Sequence, residues 1–467
     1  MSDKLIRLIK NKLFYVLTVS AAALFIAVPS ISVKADEVTK IYTAEDMKLI
    51  AENPSGSFIL MDDIDMKDVE WIPVDFTGTF DGNSHAILNL KITETSSSTR
   101  TTYDGNYKTY DTCFAGLFGV MENASVSNLT LRGLDIEVSK EEPCFIGSIA
   151  GFAEGSSITN CDIEGRLRLD VSCKMFGVGG IVGYGGNGPI TETKADVTLI
   201  CIDHDKENRD EQFMGGAYSA GYLDVDKCFI KIDGYDSDHG YVHDGGLVGM
   251  YILYPLGNNY AGYINNTRVE GMITFFEDNT DRRAYCKDFM GEVMNWTYEY
   301  VGNSSDFTRN EIKDYSKDLL PHYCESDNFT EEKVDSTCEE FGYTIYKCNE
   351  CNEYSYKADY TLKNHTVNEL EVVKEATTEE EGLSKGVCAN CGAEVYITTP
   401  KVEEVVEEEV EEEIDYNLEW DVAPFKEPEE KGNTLINVVL VAGIIVSIGL
   451  VIAIIIVLAK GTKKRKR

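Results

Sequence analysis

The chain has 467 residues, with 80 Asp and Glu against 43 Lys and Arg, for a net charge of −37. That length exceeds one ordinary core, so several segments are expected. A surface this acidic repels a polyanion and carries no basic patch to displace phosphate counterions, which argues against a nucleic-acid partner and leaves cationic surfaces or divalent ions. The simplest role for the charge is to keep an exposed protein soluble and extended.

At the N-terminus, Lys4, Arg7, Lys10 and Lys12 precede an apolar run from Leu13 to Val28. Pro29 breaks the run and Val33-Lys34-Ala35 offers small residues for cleavage, so 1–35 reads as a signal peptide, with an uncleaved anchor as the alternative. From Glu70 to Ile92 the stretch "EWIPVDFTGTFDGNSHAILNLKI" alternates through Phe76, Gly78 and Phe80, turns at Asp81-Gly82-Asn83, and resumes through Ala86, Leu88, Leu90 and Ile92. This predicts a strand, a sharp corner and a second strand.

Self-similarity follows. "AGLFG", "GSIAG", "GGIVG", "GGAYSAG" and "GGLVG" end at Gly119, Gly151, Gly183, Gly221 and Gly249, and the first two intervals are each 32 residues. "NLTLRG" at 128–133, "NCDIEG" at 160–165 and "NTRVEG" at 266–271 travel with them, and Asn128 to Asn160 is again 32. Two motifs sharing one period indicate repeated structural units. Each unit holds short period-two runs, such as Leu134, Ile136 and Val138, too short to stand alone. Stacked as a parallel β-solenoid, such strands form inward ladders, and glycine is expected to supply the positive φ and the close backbone approach that corners require.

The Gly-Gly-aliphatic strings, the Asn-led strings and the leader "YTAEDMKLIAENPSGSFILMDDIDM" before "FTGTFDGNSHAILNL" resemble the GLUG-motif surface proteins of Gram-positive bacteria, over roughly residues 40–275 with a tail to about 310. The resemblance implies a mainly β fold, a right-handed parallel β-helix, with Ala44 to Ala51 as a short helix before a strand at Phe58 to Met61. Some members of that family are IgA-cleaving metallopeptidases, which need His-Glu-x-x-His on one helical face. The six histidines, His85, His204, His239, His243, His322 and His365, are none of them followed by Glu, so that activity does not carry over and no catalytic residue is assigned.

Three acidic strings, Asp62 to Asp68, Asp203 to Glu211 and Asp233 to Asp238, could bind calcium or serve a glycosidase or lyase, but match no calcium loop and read best as solvated corners. His239 and His243 likewise read as exposed corner residues. Seven of the thirteen cysteines lie in the solenoid, with Cys161 and Cys228 at inward positions; their odd number and irregular spacing favour buried thiols, although an oxidising exterior argues for disulfides.

Beyond the solenoid, "STCEEFGYTIYKCNEC" (Ser336 to Cys351) aligns with "ATTEEEGLSKGVCANC" (Ala376 to Cys391) at an offset of 40. The two C-x-x-C knuckles resemble small Cys-rich repeats near the anchors of surface proteins in anaerobic Gram-positive bacteria. Zinc needs four soft or imidazole ligands, which the first unit offers in Cys338, Cys348, Cys351 and either His322 or His365; disulfides, as another staple, and redox activity are the alternatives. The second unit has Thr378 in place of Cys338, so it is expected to hold no metal.

Residues 401–433 are rich in Glu and read as an extended stalk of at most about 110 Å, with a short helix from Val402 to Ile414 as an option. Leu435 to Leu458 is free of charge and as a helix spans roughly 36 Å, enough for a bilayer. The basic "KGTKKRKR" after it orients the chain with its bulk outside the cell. No Leu-Pro-x-Thr-Gly string precedes the span, so the helix itself is the anchor. The expected order is signal peptide 1–35, β-helix ectodomain 36–320, two Cys-rich repeats 321–400, stalk 401–433, transmembrane helix 434–459 and cytoplasmic tail 460–467. The expected role is a ligand-binding or adhesion module for an extracellular glycan, a wall polymer or a host surface; a carbohydrate-active enzyme on the same fold and a purely structural surface component are the alternatives.

Overall fold

The short alternating runs pair with their own copies one turn later. Leu131 lies beside Ile163, Ile163 beside Ala195, Ala195 beside Ile230 and Ile230 beside Val269, every pair parallel. The computed structural model describes residues 38–103, 107–204, 211–236, 241–251, 263–276, 285–287, 289–293, 299–312, 328–350, 355–378 and 380–402. The expected signal peptide, transmembrane helix and cytoplasmic tail lie outside these residues, as does the stalk beyond 402. Among the described residues no helix is long and apolar enough to cross a membrane.

The result is a parallel β-solenoid of about five turns. Its strands form a 14-stranded, a nine-stranded and a seven-stranded sheet. One core runs between them, including Phe76 and Phe118, which stack at 4.3 Å, and the ladder Ile136, Leu167 and Leu199. Stacking is obligatory on energetic grounds. An inward Leu or Ile contributes about 1.5–3 kcal/mol when buried. A lone strand with two such residues does not offset the roughly 1–2 kcal/mol per residue needed to order its backbone.

The leader behaves as expected: a 3-10 turn at Glu45–Met47 runs into a helix at Lys48–Glu52, and a strand follows at Ser57–Leu60. The stretch from Glu70 to Ile92 is more broken. It holds strands at Val74–Phe76, Thr79–Asp81, Ala86–Leu88 and Lys91–Ile92. Nor do Ala86, Leu88, Leu90 and Ile92 share one face. Asn89 sits in the left-handed region at φ 53°, which shifts the alternation by one residue. Ile87, Leu90 and Ile92 therefore join the main core, while Ala86 and Leu88 face the other way.

The corners divide the work expected of glycine. The row that turns the chain is Asn128, Asn160, Glu192, Lys227, Asn266 and Gly302, with φ of 54°, 54°, 52°, 56°, 49° and 74°. Asparagine accepts this conformation because its amide bonds locally. Asn160 Nδ2 donates to Asn128 Oδ1 at 2.8 Å, and Asn128 Nδ2 to Asp81 Oδ1 at 2.9 Å. Among the repeat glycines, Gly133, Gly221 and Gly271 take positive φ, whereas Gly151 and Gly183 serve for close approach. A Cβ on Gly151 would lie 2.6 Å from the Ala115 nitrogen and 2.7 Å from Phe114 Cβ, and one on Gly183 would collide with the Gly151 carbonyl. In "GGAYSAG" it is Ser219, not Gly221, that stands level with Gly183 and Gly249.

The seven-stranded sheet opens with an antiparallel hairpin, Ser96–Tyr103 against Tyr107–Ala115. A second apolar cluster packs against this sheet through Phe114, Phe145 and Phe213. Phe145 and Phe213 lie two coils apart in the ladder with Gly177 between them, yet their rings come to 6.3 Å because Gly177 has no side chain. His243 follows Phe213 in this row, buried and stacked on it at 5.3 Å, where a corner position had been expected.

Two antiparallel three-stranded sheets follow. The first comprises Phe329–Val334, Gly342–Cys348 and Ser355–Thr361; the second Val367–Lys374, Gly382–Cys388 and Glu394–Thr399. Their central strands begin 40 residues apart, at Gly342 and Gly382. Both sheets fold back on the first coils. Tyr360, 4% exposed, covers Ala86 and Leu88 with Phe341 and Tyr343 beside it.

Candidate functional site

The chemistry-bearing side chains converge at the junction of the two small sheets. In the second, Cys388 closes the central strand and the chain turns through Ala389, Asn390, Cys391 and Gly392. Gly392 has φ 76°, and its N–H donates to the Cys388 carbonyl at 2.9 Å, which brings both cysteines of the knuckle to one side. Ala389 N–H donates to the carbonyl of Thr366 at 2.8 Å, holding the linker residue His365 against the knuckle. His365 Nδ1 lies 3.3 Å from Cys391 Sγ.

The fourth member comes from the first unit. Thr337 Oγ1 accepts the N–H groups of Glu339 and Glu340, and this turn aims Cys338 across the junction. Cys338 Sγ lies 3.8 Å from Cys388 Sγ and 3.2 Å from the Asn364 carbonyl. The ligand atoms of Cys338, His365, Cys388 and Cys391 all fall within 4.8 Å of one another. Backbone N–H groups of the knuckle, that of Cys391 foremost, bring the Cys388 thiol down to about 5. Partial burial, with Cys388 alongside, raises Cys338. Three sulfurs and one imidazole in this compass suit a tetrahedral soft cation.

This grouping differs from the one expected from spacing. Cys338 joins the second unit, and it supplies the ligand that Thr378 lacks there. Cys348 is fully buried in the first unit and is not part of the cluster. Cys351 and His322 lie outside the described residues. The sequence signal that was available is the pairing itself: one unit with an extra cysteine, the next missing one at the same place, and a histidine in the short link between them.

A second group of ligand type is Asp62, Asp63 and His85. The docked units already engage it. Asp62 accepts the Tyr396 N–H at 3.0 Å, and Asp63 meets Lys363 at 3.6 Å and His85 at 3.4 Å. Burial raises Asp62. At Asp63 burial works the same way, but the His85 bond and the Lys363 charge bring the carboxyl below its ordinary value. This acidic string is therefore a docking surface rather than a solvated corner.

On the nine-stranded sheet, Glu164, Asp196, Lys231, Glu270 and Asp306 form an outward row in continuous register, and Glu164 is the member that Tyr360 and Lys357 of the docked first unit engage. Lys231 pairs with Asp196 at 2.8 Å, and Arg268 bridges Glu270 and Asp306. Inside the solenoid, Cys161 and Cys228 are buried free thiols, each pushed up to about 12 by burial. They stand in a row with Thr193 and Thr267, whose hydroxyls accept the cysteine N–H groups.

No known family profile matches the chain, and no curated protein matches it.

Proposed function

We propose that the chain is a membrane-anchored cell-surface protein whose solenoid acts as a ligand-binding or adhesion module. The observation that carries this reading is the regular charged row from Asp196 to Asp306, which lies at the surface along successive coils of a parallel sheet. A repeating polymer, such as an extracellular glycan, a wall polymer or a host-surface chain, meets a charged group at each strand spacing of about 4.8 Å. The display role draws on sequence: the leader at 1–35, the acidic 401–433, the apolar 434–459 and the basic 460–467. The likeness to GLUG-motif proteins, with its right-handed coil, supports the same placement.

The test is a glycan and wall-polymer array probed with residues 36–402, run beside a reducing-sugar release assay. Retention without cleavage is expected, and Lys231→Glu should abolish it. Release of reducing ends would instead favour a carbohydrate-active enzyme. That second reading draws on Asp203, Asp236, Asp244 and His243, ionisable side chains buried in the later coils.

A further inference from the structure

We infer that Cys338, His365, Cys388 and Cys391 together bind one zinc ion, and that this ion clips the two small units to each other. The distances favour a metal over a disulfide. A disulfide requires about 2.05 Å between sulfurs. A tetrahedral zinc with Zn–S of about 2.3 Å and Zn–N of about 2.0–2.1 Å holds its sulfurs about 3.8 Å apart and a sulfur and nitrogen about 3.5 Å apart. Cys338 and Cys388 are 3.8 Å apart, and Cys391 and His365 3.3 Å.

The donor set also assigns the metal class. Three thiolates and an imidazole prefer zinc over calcium or magnesium, which take oxygen ligands. All four positions of a tetrahedron are filled by protein, so the site is structural, with no place for a reacting water.

Its consequence is mechanical. The first unit holds the solenoid through Tyr360, Lys357 and Lys363, and the second through the Tyr396 N–H and Lys401. Each exposed ion pair among these is worth little by itself. A metal shared by both units makes their contacts act together, because one unit cannot leave without the other or without loss of the ion. Binding and folding are then coupled, and removal of the ion loosens the whole docked face.

The experiment is metal analysis of the full-length chain purified in detergent with reductant, as wild type and as Cys338→Ser, Cys391→Ser, His365→Cys and Cys348→Ser. Cys338→Ser and Cys391→Ser should each lose one equivalent of zinc relative to wild type, while His365→Cys and Cys348→Ser keep it. Cobalt exchanged into the wild-type chain should give the visible bands of a tetrahedral thiolate site, a readout that does not depend on any variant folding. Equal zinc in Cys338→Ser and wild type would overturn the proposal. So would loss confined to Cys348→Ser, or a wild-type chain without zinc in which Cys388 and Cys391 are joined as a disulfide.

Discussion

Asn89 holds Tyr360 as a strand would. Its Nδ2 donates to the Tyr360 carbonyl and its Oδ1 accepts the Tyr360 N–H, both at 2.8 Å, across 271 residues of sequence. The left-handed backbone that shifts the alternation at Asn89 is thus also the one that turns its amide toward the returning chain. Gly133, with φ 64° on the neighbouring coil, leaves room for the ring, since a Cβ there would lie 2.8 Å from Tyr360 Cδ2. The Tyr360 hydroxyl completes the contact by donating to Glu164 at 2.6 Å.

Tyr360→Ala should cost about 3–5 kcal/mol, because it uncovers Ala86 and Leu88 as well as removing the ring. Asn89→Ala should cost about 1–3 kcal/mol through the unpaired Tyr360 backbone. Amide hydrogen exchange reads both: residues 86–92 and 355–361 should lose protection, while the ladder from Ile163 to Val269 keeps it. Uniform loss along the solenoid would mean that Tyr360 is not a local clasp.

Among corner residues, Asn160→Gly should change stability by only a few tenths of a kcal/mol, whereas Asn160→Val should cost about 1–2 kcal/mol, the strain of a left-handed non-glycine residue. Gly151→Val should be far worse than either, because its Cβ meets backbone atoms rather than a movable side chain. Thermal unfolding of the three variants ranks them, and Gly432→Val in the acidic segment is expected to leave the solenoid transition unchanged. An Asn160→Val protein as stable as wild type would contradict the corner assignment.

Docking should weaken in acid. The Lys67 ammonium, at 2.8 Å, and the Tyr346 hydroxyl hold the Asp359 carboxyl below its ordinary value. A depressed folded-state pKa gives stability that is complete above the unfolded value of about 3.9 and is lost as pH falls through the folded one. Because the pair is largely exposed, the effect is a fraction of that for a buried pair. Asp62, raised by burial, acts in the opposite sense. Asp359→Asn should therefore flatten the acid limb of a stability curve measured from pH 6 to 2; an unchanged limb would assign the acid sensitivity elsewhere.

The solenoid was legible because its period is written twice, in the glycine strings and in the Asn-led strings, and the core follows from residues such as Ile136 and Leu167 that face inward on each pass. Gly151 and Gly183 were not legible as close-approach rather than positive-φ positions, because a sequence shows that glycine is required without showing whether φ or proximity requires it. The hairpin from Ser96 to Ala115 was missed although Asp104-Gly105 between Thr- and Tyr-rich runs is a hairpin signal. Docking had no periodic trace: Tyr360 and Leu88 are ordinary apolar residues whose partnership depends on a chain reversal. The metal ligands were legible as types, but Cys338 was assigned to its own unit because spacing says nothing of which neighbour a turn faces.

The most direct test of the returning chain is zero-length carbodiimide coupling on the intact protein, with cross-linked peptides read by mass spectrometry. Lys67–Asp359 at 2.8 Å, Lys401–Glu45 at 3.2 Å and Lys363–Asp63 at 3.6 Å should all couple, alongside the Lys231–Asp196 pair within the solenoid as an internal control. Recovery of the Lys231–Asp196 peptide with none of the other three would contradict the docking of the two small units on the first coils.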